Sequence, residues 1–401
     1  MVLSDIHASQ TVTNWSHVTV EPPQAPLTTQ PLRDLREFVE KQNFKCDFLV
    51  VPGDIADQGD AAGLQYAWLI LHELATALGA ELVASPGNHD VVTHSDIADR
   101  SSILKNLRPT FPTGDATLDQ NFWREGFTIV ERGDYRFVIL NSTHDFPPFP
   151  DGGKSSPNWA GYLAELDRAT FSTELEERMA ASLAGRTEKI NVLILHHHPQ
   201  EHQLRDRFKD TYGPMRRGDA LISLLNGAEL GRWLVIHGHK HLPQLVHVGG
   251  VVGGDVATLC AASLGAHLWK PVSTAARNLF HILDVTNDPV PGLGTLRGTV
   301  DSYYWGYGEG WKPSHPDGCG MPAQSGFGCI SDPRDLAQQV AKHMDSNHLE
   351  ILDYDRLIAV VPEIPYQTPD AFSNLVTALE RIGYGFVRNS RQKIVQVVKD
   401  G

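Results

Sequence analysis

Carboxylates, imidazoles and one carboxamide recur in this chain where short apolar runs end. In chain order they are Asp5-Ile6-His7, Gly53-Asp54-Ile55-Ala56-Asp57, Gly87-Asn88-His89-Asp90, His196-His197-His198-Pro199 and Gly238-His239-Lys240-His241. All are hard or borderline donors with no thiolate among them, a set that suits Mn, Fe or Zn better than a sulfur site. Asp54 has two carboxylate oxygens and could bridge two such ions; at a strand end it could instead cap the next turn. His89 brings a second kind of chemistry, because an imidazole titrates near neutrality and can pass a proton in a reaction. Asp5 and His7 alternate around Ile6, and His239 and His241 around Lys240. On extended backbone each pair points to one side.

The elements that must carry these groups are legible as alternating helices and strands. Pro31 to Gln42 reads as an amphipathic helix with Leu32, Leu35, Phe38 and Val39 on one face. Phe48 to Val51 is a buried strand broken by Pro52-Gly53, so Asp54 sits at a strand's C-terminal edge, where open α/β sheets put their chemistry. A helix through Leu64, Ala67, Trp68, Leu71 and Leu74 leads to a strand over 80–85, and Pro86-Gly87 repeats the break before Asn88. Residues 91–130 read as mixed loop and helix. Tyr135 to Asn141 is a strand ending in Ser142-Thr143-His144, followed by a Pro/Gly-rich loop over 146–157 long enough to be functional. A helix with Leu175, Met179 and Leu183 on one face precedes strands Val192–Leu195 and Leu234–Ile236, which deliver the two histidine clusters. Val2-Leu3 is the very short first strand.

Composition narrows the class. At 401 residues the chain exceeds ordinary single-domain size, and 41% hydrophobic content is ample for a core. No run of about 18 apolar residues exists, so no membrane span is expected. The first residues lack the charged and apolar regions of a signal peptide, and four cysteines at 46, 260, 319 and 329 make no disulfide framework; a cytoplasmic enzyme is the expectation. A net charge of −14 argues against indiscriminate binding to nucleic acid backbones.

Taken together in this order, D-x-H, G-D-x-x-D, G-N-H-D, H-H-P and G-H-x-H closely resemble the calcineurin-like metallophosphoesterases, over residues 1 to about 312. The resemblance implies a four-layer α/β/β/α sandwich around a centre of two divalent metal ions, Mn, Fe or Zn. By that analogy Asp5, His7, Asp54 and His241 hold one ion, and Asp54 bridges to a second held by Asn88, His197 and His239. His197 is chosen among the three adjacent histidines because the family ligand stands two places before the proline; His196 and His198 are the alternatives. His89 would contact phosphate and protonate the leaving oxygen, with Asp90 orienting it and Asp57 supporting the loop. Asn88 and His144 would also touch substrate. The implied reaction is phosphoester hydrolysis, with a hydroxide held between the ions attacking phosphorus in line.

The motifs look most like the cyclic-nucleotide phosphodiesterase branch, which favours a small or cyclic nucleotide-like diester. A nuclease, a phosphomonoesterase or protein phosphatase, and a binding protein with a scaffold metal site are the other classes. Arg205, Arg207, Lys209, Arg216 and Arg217 could grip nucleic acid, although interleaved Asp206, Asp210 and Asp219 make a solvated face the better reading. Strand-like runs Leu279–Val285 and Leu296–Tyr304 would complete the second sheet. Residues 313–330 read as a Pro/Gly-rich linker, and Cys319, Cys329 and His315 in it match no common zinc spacing. Residues 331–401 form a small α+β module: a helix with Leu336, Val340 and Met344, a strand Leu357–Val361, a helix from Pro369, and a hairpin of Tyr384–Arg388 with Lys393–Val398. Such a module suits oligomerisation or a protein partner.

Overall fold

The computed structural model describes residues 1–20, 25–202, 213–227, 231–248, 256–288 and 293–399. Arg205, Asp206, Arg207, Lys209 and Asp210 lie outside the described residues. β1 (Phe48–Pro52) runs parallel to β2 (Glu81–Ser85). The chain's first residues extend that sheet: Val50 N donates to Met1 O at 2.8 Å and Leu3 N to Val50 O at 3.1 Å. On their other side Val2 exchanges hydrogen bonds of 2.8 and 2.9 Å with His281 of β9 (Asn278–Thr286). β9 pairs antiparallel with β10 (Leu293–Gly306), which also carries β11 (Gly310–Pro313) and β12 (Gln324–Cys329).

The second sheet has the order β3 (Phe127–Arg132), β4 (Tyr135–Leu140), β5 (Ile190–Ile194), β6 (Trp233–His237), β8 (Val256–Cys260) and β7 (Gln244–Val248). Its four inner strands are parallel and its two edges antiparallel. Strand alternation sorts the side chains into two cores. Phe137, Ile139, Val192, Ile194, Leu234 and Ile236 face the first sheet. Val138, Leu140, Leu193, Leu195 and Val235 face helices Thr173–Leu183 and Gly218–Gly227. Helices Pro31–Gln42 and Ala61–Leu78 cover the first sheet through Leu32, Leu35, Leu64, Trp68 and Leu71. The result is an α/β/β/α sandwich. No helix among the described residues is long and apolar enough to cross a membrane.

The sequence-based reading fails in three places. The expected linker 313–330 contains β12, paired in register with β10 from Gly298↔Phe327 to Asp301↔Gln324. Its glycines serve close packing: a Cβ on Gly326 would collide with Pro365 O. Leu357–Val361, expected as a strand, belongs to the helix Tyr354–Val360, because Leu357 and Val361 four residues apart bury the same helical face. Three strands were not anticipated, β3 within 91–130 and β7 and β8 beyond it, whereas the helix Ala116–Glu125 falls in the stretch read as mixed loop and helix. The C-terminal region forms its own sheet, β13 (Ile351–Asp353), β15 (Ile394–Lys399) and β14 (Tyr384–Arg388), over a core of Leu336, Val340, Met344, Leu375 and Val397. Lys393 joins it to Asp301 of β10 by an ion pair of 2.9 Å.

Candidate metal centre

Five chain segments end at one rim of the sandwich: the N-terminal segment and the ends of β1, β2, β5 and β6. Their backbones are stitched before any side chain is considered. Asp5 N donates to Gly53 O at 3.1 Å and His7 N to Asp54 O at 2.9 Å. Two glycines are needed because the turns pass so closely. A Cβ on Gly87 would overlap the Asp54 carboxylate, and one on Gly238 would overlap that of Asp5. Asp5, His7, Asp54, His239 and His241 all have left-handed φ, between 51° and 76°. This corrects the expectation that Asp5 and His7 share a side through extended backbone. Such conformations cost about 1–3 kcal/mol each and gather at functional sites.

One group of donors centres on His7 and His241. Their Nε2 atoms lie 3.2 Å apart, with His241 Nε2 3.2 Å from Asp5 Oδ1 and His7 Nε2 3.5 Å from Asp54 Oδ2. A second group centres on His196. Its Nδ1 lies 2.9 Å from Pro52 O, which only an N–H can satisfy, so Nε2 is the nitrogen left to take a second proton or an ion. That Nε2 faces Asp54 Oδ2 at 3.2 Å and Asn88 Oδ1 at 3.1 Å. Converging acceptors of this kind need a cation or a proton between them, so the residues fit metal ions. Burial opposes charge on both Asp54 and His196, yet each outweighs it for the other: Asp54 is held well below the usual carboxylate range and His196 is raised to about 9. The His239 ring stands 5.1 Å from that of His196, and its buried Nε2 has no hydrogen-bond partner.

Three expected roles change. His197 is turned away from the carboxylates: its Nε2–H donates to Leu166 O at 3.0 Å, and its Nδ1 accepts from Ser142 Oγ at 2.8 Å. Both ring nitrogens are used, and the free donor is on His196. Asp90 does not orient His89. Its oxygens accept from Ala56 N at 2.7 Å and Gly87 N at 2.9 Å, clasping the two metal-side turns together. The carboxylate on His89 is Asp57, 3.1 Å from Nδ1 and 3.7 Å from Nδ1 of His7. His144 points elsewhere, because the Asn141 side chain accepts from Thr143 N and Oγ1 and turns the chain toward Gly126. There it lines a cavity of about 430 Å³ with Val91, Arg100 and Phe149.

His89 is the reactive side chain open to solvent, 32% exposed. Burial pushes its imidazole down, but Asp54 and Asp57 prevail and raise it to about 8. One neighbour had no signal in the sequence. Asp167, at the end of the helix Trp159–Arg168, lies 3.6 Å from His239 Nε2 and 3.3 Å from Lys240 Nζ. The long loop before that helix hid the return of residues 166–167 to the centre.

A helix-flanked double sheet that brings carboxylates, an amide and imidazoles to one rim defines a class of metal-dependent hydrolases. The chain belongs to the calcineurin-like phosphoesterase family, whose profile matches residues 1–243. A cAMP/cGMP dual specificity phosphodiesterase of Mycobacterium tuberculosis is 27% identical over 177 residues, 41% of this chain. The chain spans about half the length of that relative, 52%. Among solved structures, a dimetal phosphatase from Danio rerio gives a TM-score of 0.41 at 12% identity, covering 76% of this chain and 91% of that one. A purple acid phosphatase from yellow lupin seeds gives 0.44 at 13% identity, covering 77% and 51%.

Proposed function

We propose that the chain is a binuclear-metal phosphodiesterase for small, cyclic nucleotide-like diesters. Asp5, His7, Asp54 and His241 would hold one ion; Asp54, Asn88, His196 and His239 would hold the other. The observation that carries this reading is Asp54 Oδ2, within 3.5 Å of His7 Nε2 and 3.2 Å of His196 Nε2, so that one carboxylate serves both donor groups. Bound divalent ions supply charge neutralisation on the phosphate and activation of water.

The chain's own residues do the rest. His89, raised to about 8, is protonated at neutral pH and partly open to solvent beside Asp54, so it can donate to the leaving oxygen. Asp57 holds its Nδ1–H and fixes the ring, while Asp90 keeps the two turns in register. The preference for a small substrate rests on charge. Arg216 is paired with Glu165 and Arg217 with Glu176, and the chain's net charge is −14, so neither the two arginines nor the whole chain favours a polyanion. The cyclic-nucleotide activity named for the mycobacterial relative points the same way.

The test is purification with metals quantified, then turnover of bis-p-nitrophenyl phosphate, p-nitrophenyl phosphate, cyclic nucleotides and single-stranded DNA. Metal-dependent turnover of the diester and the cyclic nucleotides supports the reading. Preference for p-nitrophenyl phosphate would make it a monoesterase, and preference for DNA a nuclease.

A further inference from the structure

Three large aromatic side chains stand out as exposed among the described residues, and one of them adjoins the metal centre. Trp15 is 64% exposed, Trp269 53% and Tyr307 66%. Trp269 lies beside His241, with ring centroids 6.4 Å apart. The backbone of Trp15 accepts from His267 N at 2.8 Å, and the His267 ring lies 3.8 Å from that of His17, which has Tyr307 at 5.9 Å. Leaving such rings in water forgoes the burial that normally recruits them, and clustered exposure of this kind marks a binding surface.

Their position is tied to the centre from two directions. Leu264 N donates to Ser4 O at 2.7 Å and Gly265 N to Asp5 O at 3.2 Å, anchoring the segment that leads into Trp269. Leu242, which follows His241, packs against Val272 and Ala276 on the far side of Trp269. The two imidazoles add no charge there at neutral pH. Burial first, and then the neighbouring His267, takes His17 down to about 4, and burial lowers His267 as well. An exposed indole next to a phosphate site suits a planar heterocycle better than a second phosphate.

We propose that Trp269, beside His241, is a stacking surface for the nucleobase of a substrate whose phosphate lies at Asp54. This rests on the phosphodiesterase reading above and assigns the residue that would hold the base of its substrate.

The test compares AMP with ribose 5-phosphate by titration calorimetry on the manganese-loaded chain. Base stacking on an aromatic side chain predicts about 5- to 100-fold tighter binding of AMP. Trp269→Ala should collapse that gap by weakening AMP alone, and Trp269→Phe should keep most of it. Equal affinity for the two ligands in the unsubstituted chain, or a gap that survives Trp269→Ala, overturns the inference. A gap that behaves as expected in a protein that hydrolyses no diester supports the stacking surface and overturns the diesterase reading instead.

Discussion

Replacing His196 and His197 one at a time separates two rings that adjoin in the chain and lie 5.1 Å apart between centroids. Both are fully buried, and each donates to a backbone carbonyl, Pro52 O at 2.9 Å for His196 and Leu166 O at 3.0 Å for His197. Truncation to Ala removes that donor, at about 1–3 kcal/mol for each buried group stranded, although Pro52 O keeps Ser4 Oγ at 3.3 Å. His197→Ala also strands Ser142 Oγ, so urea unfolding of the metal-free chain should show it to be at least as destabilised as His196→Ala. Metal content should rank them the other way. Removing a residue that only supports ligands costs about 10–100-fold in affinity, so removing His196, a donor itself, should cost more. After dialysis, mass spectrometry of bound metal should find His196→Ala one ion short of the unsubstituted chain and His197→Ala with its full complement. The opposite result, an ion lost with His197 and none with His196, would refute the assignment from ring hydrogen bonding.

Further outcomes follow from the same geometry. His89→Ala should keep its metals and lose about 10²–10⁴ in rate, with a smaller loss for nitrophenolate leaving groups that need little protonation; a uniform loss across leaving groups would reassign His89 to phosphate binding. Asp57→Asn removes one of the charges that raise His89, whose acid form is lost as pH rises through about 8. The alkaline limb of the rate profile should therefore move to lower pH, and an unmoved limb would argue against the Asp57–His89 pair. Turnover of bis-p-nitrophenyl phosphate should vary only modestly between about 50 and 200 mM salt, because few phosphate contacts are made. Charge reversal at Arg216 or Arg217 should cost little, since Glu165 and Glu176 already neutralise them.

The sandwich was legible because its strands are short apolar runs, two of them closed by Pro-Gly breaks, alternating with helices whose apolar residues share one face. The donor types were legible for the same reason: a strand end exposes whatever follows it. Ring orientation was not. His196 lies on the same strand parity as Ile194, which faces the inter-sheet core, but counting back from Pro199 selected His197. Asp57 and Asp90 are each close to His89 in space, and only turns with left-handed residues decide which carboxylate meets the ring and which meets the backbone. Asp167 arrives through a loop of more than ten residues, beyond the reach of any local pattern. Gly326 and Gly328 resemble linker residues until the chain segment that packs on them is known.

The central claim is that one carboxylate joins two donor groups. Asp54→Asn keeps the shape of the side chain and its acceptor for His89 N, 2.8 Å away, so the fold should persist by circular dichroism. The measurement is bound metal per chain together with bis-p-nitrophenyl phosphate turnover on the same sample. The account predicts lowered metal content and abolished turnover. Full metal content with full activity would contradict it.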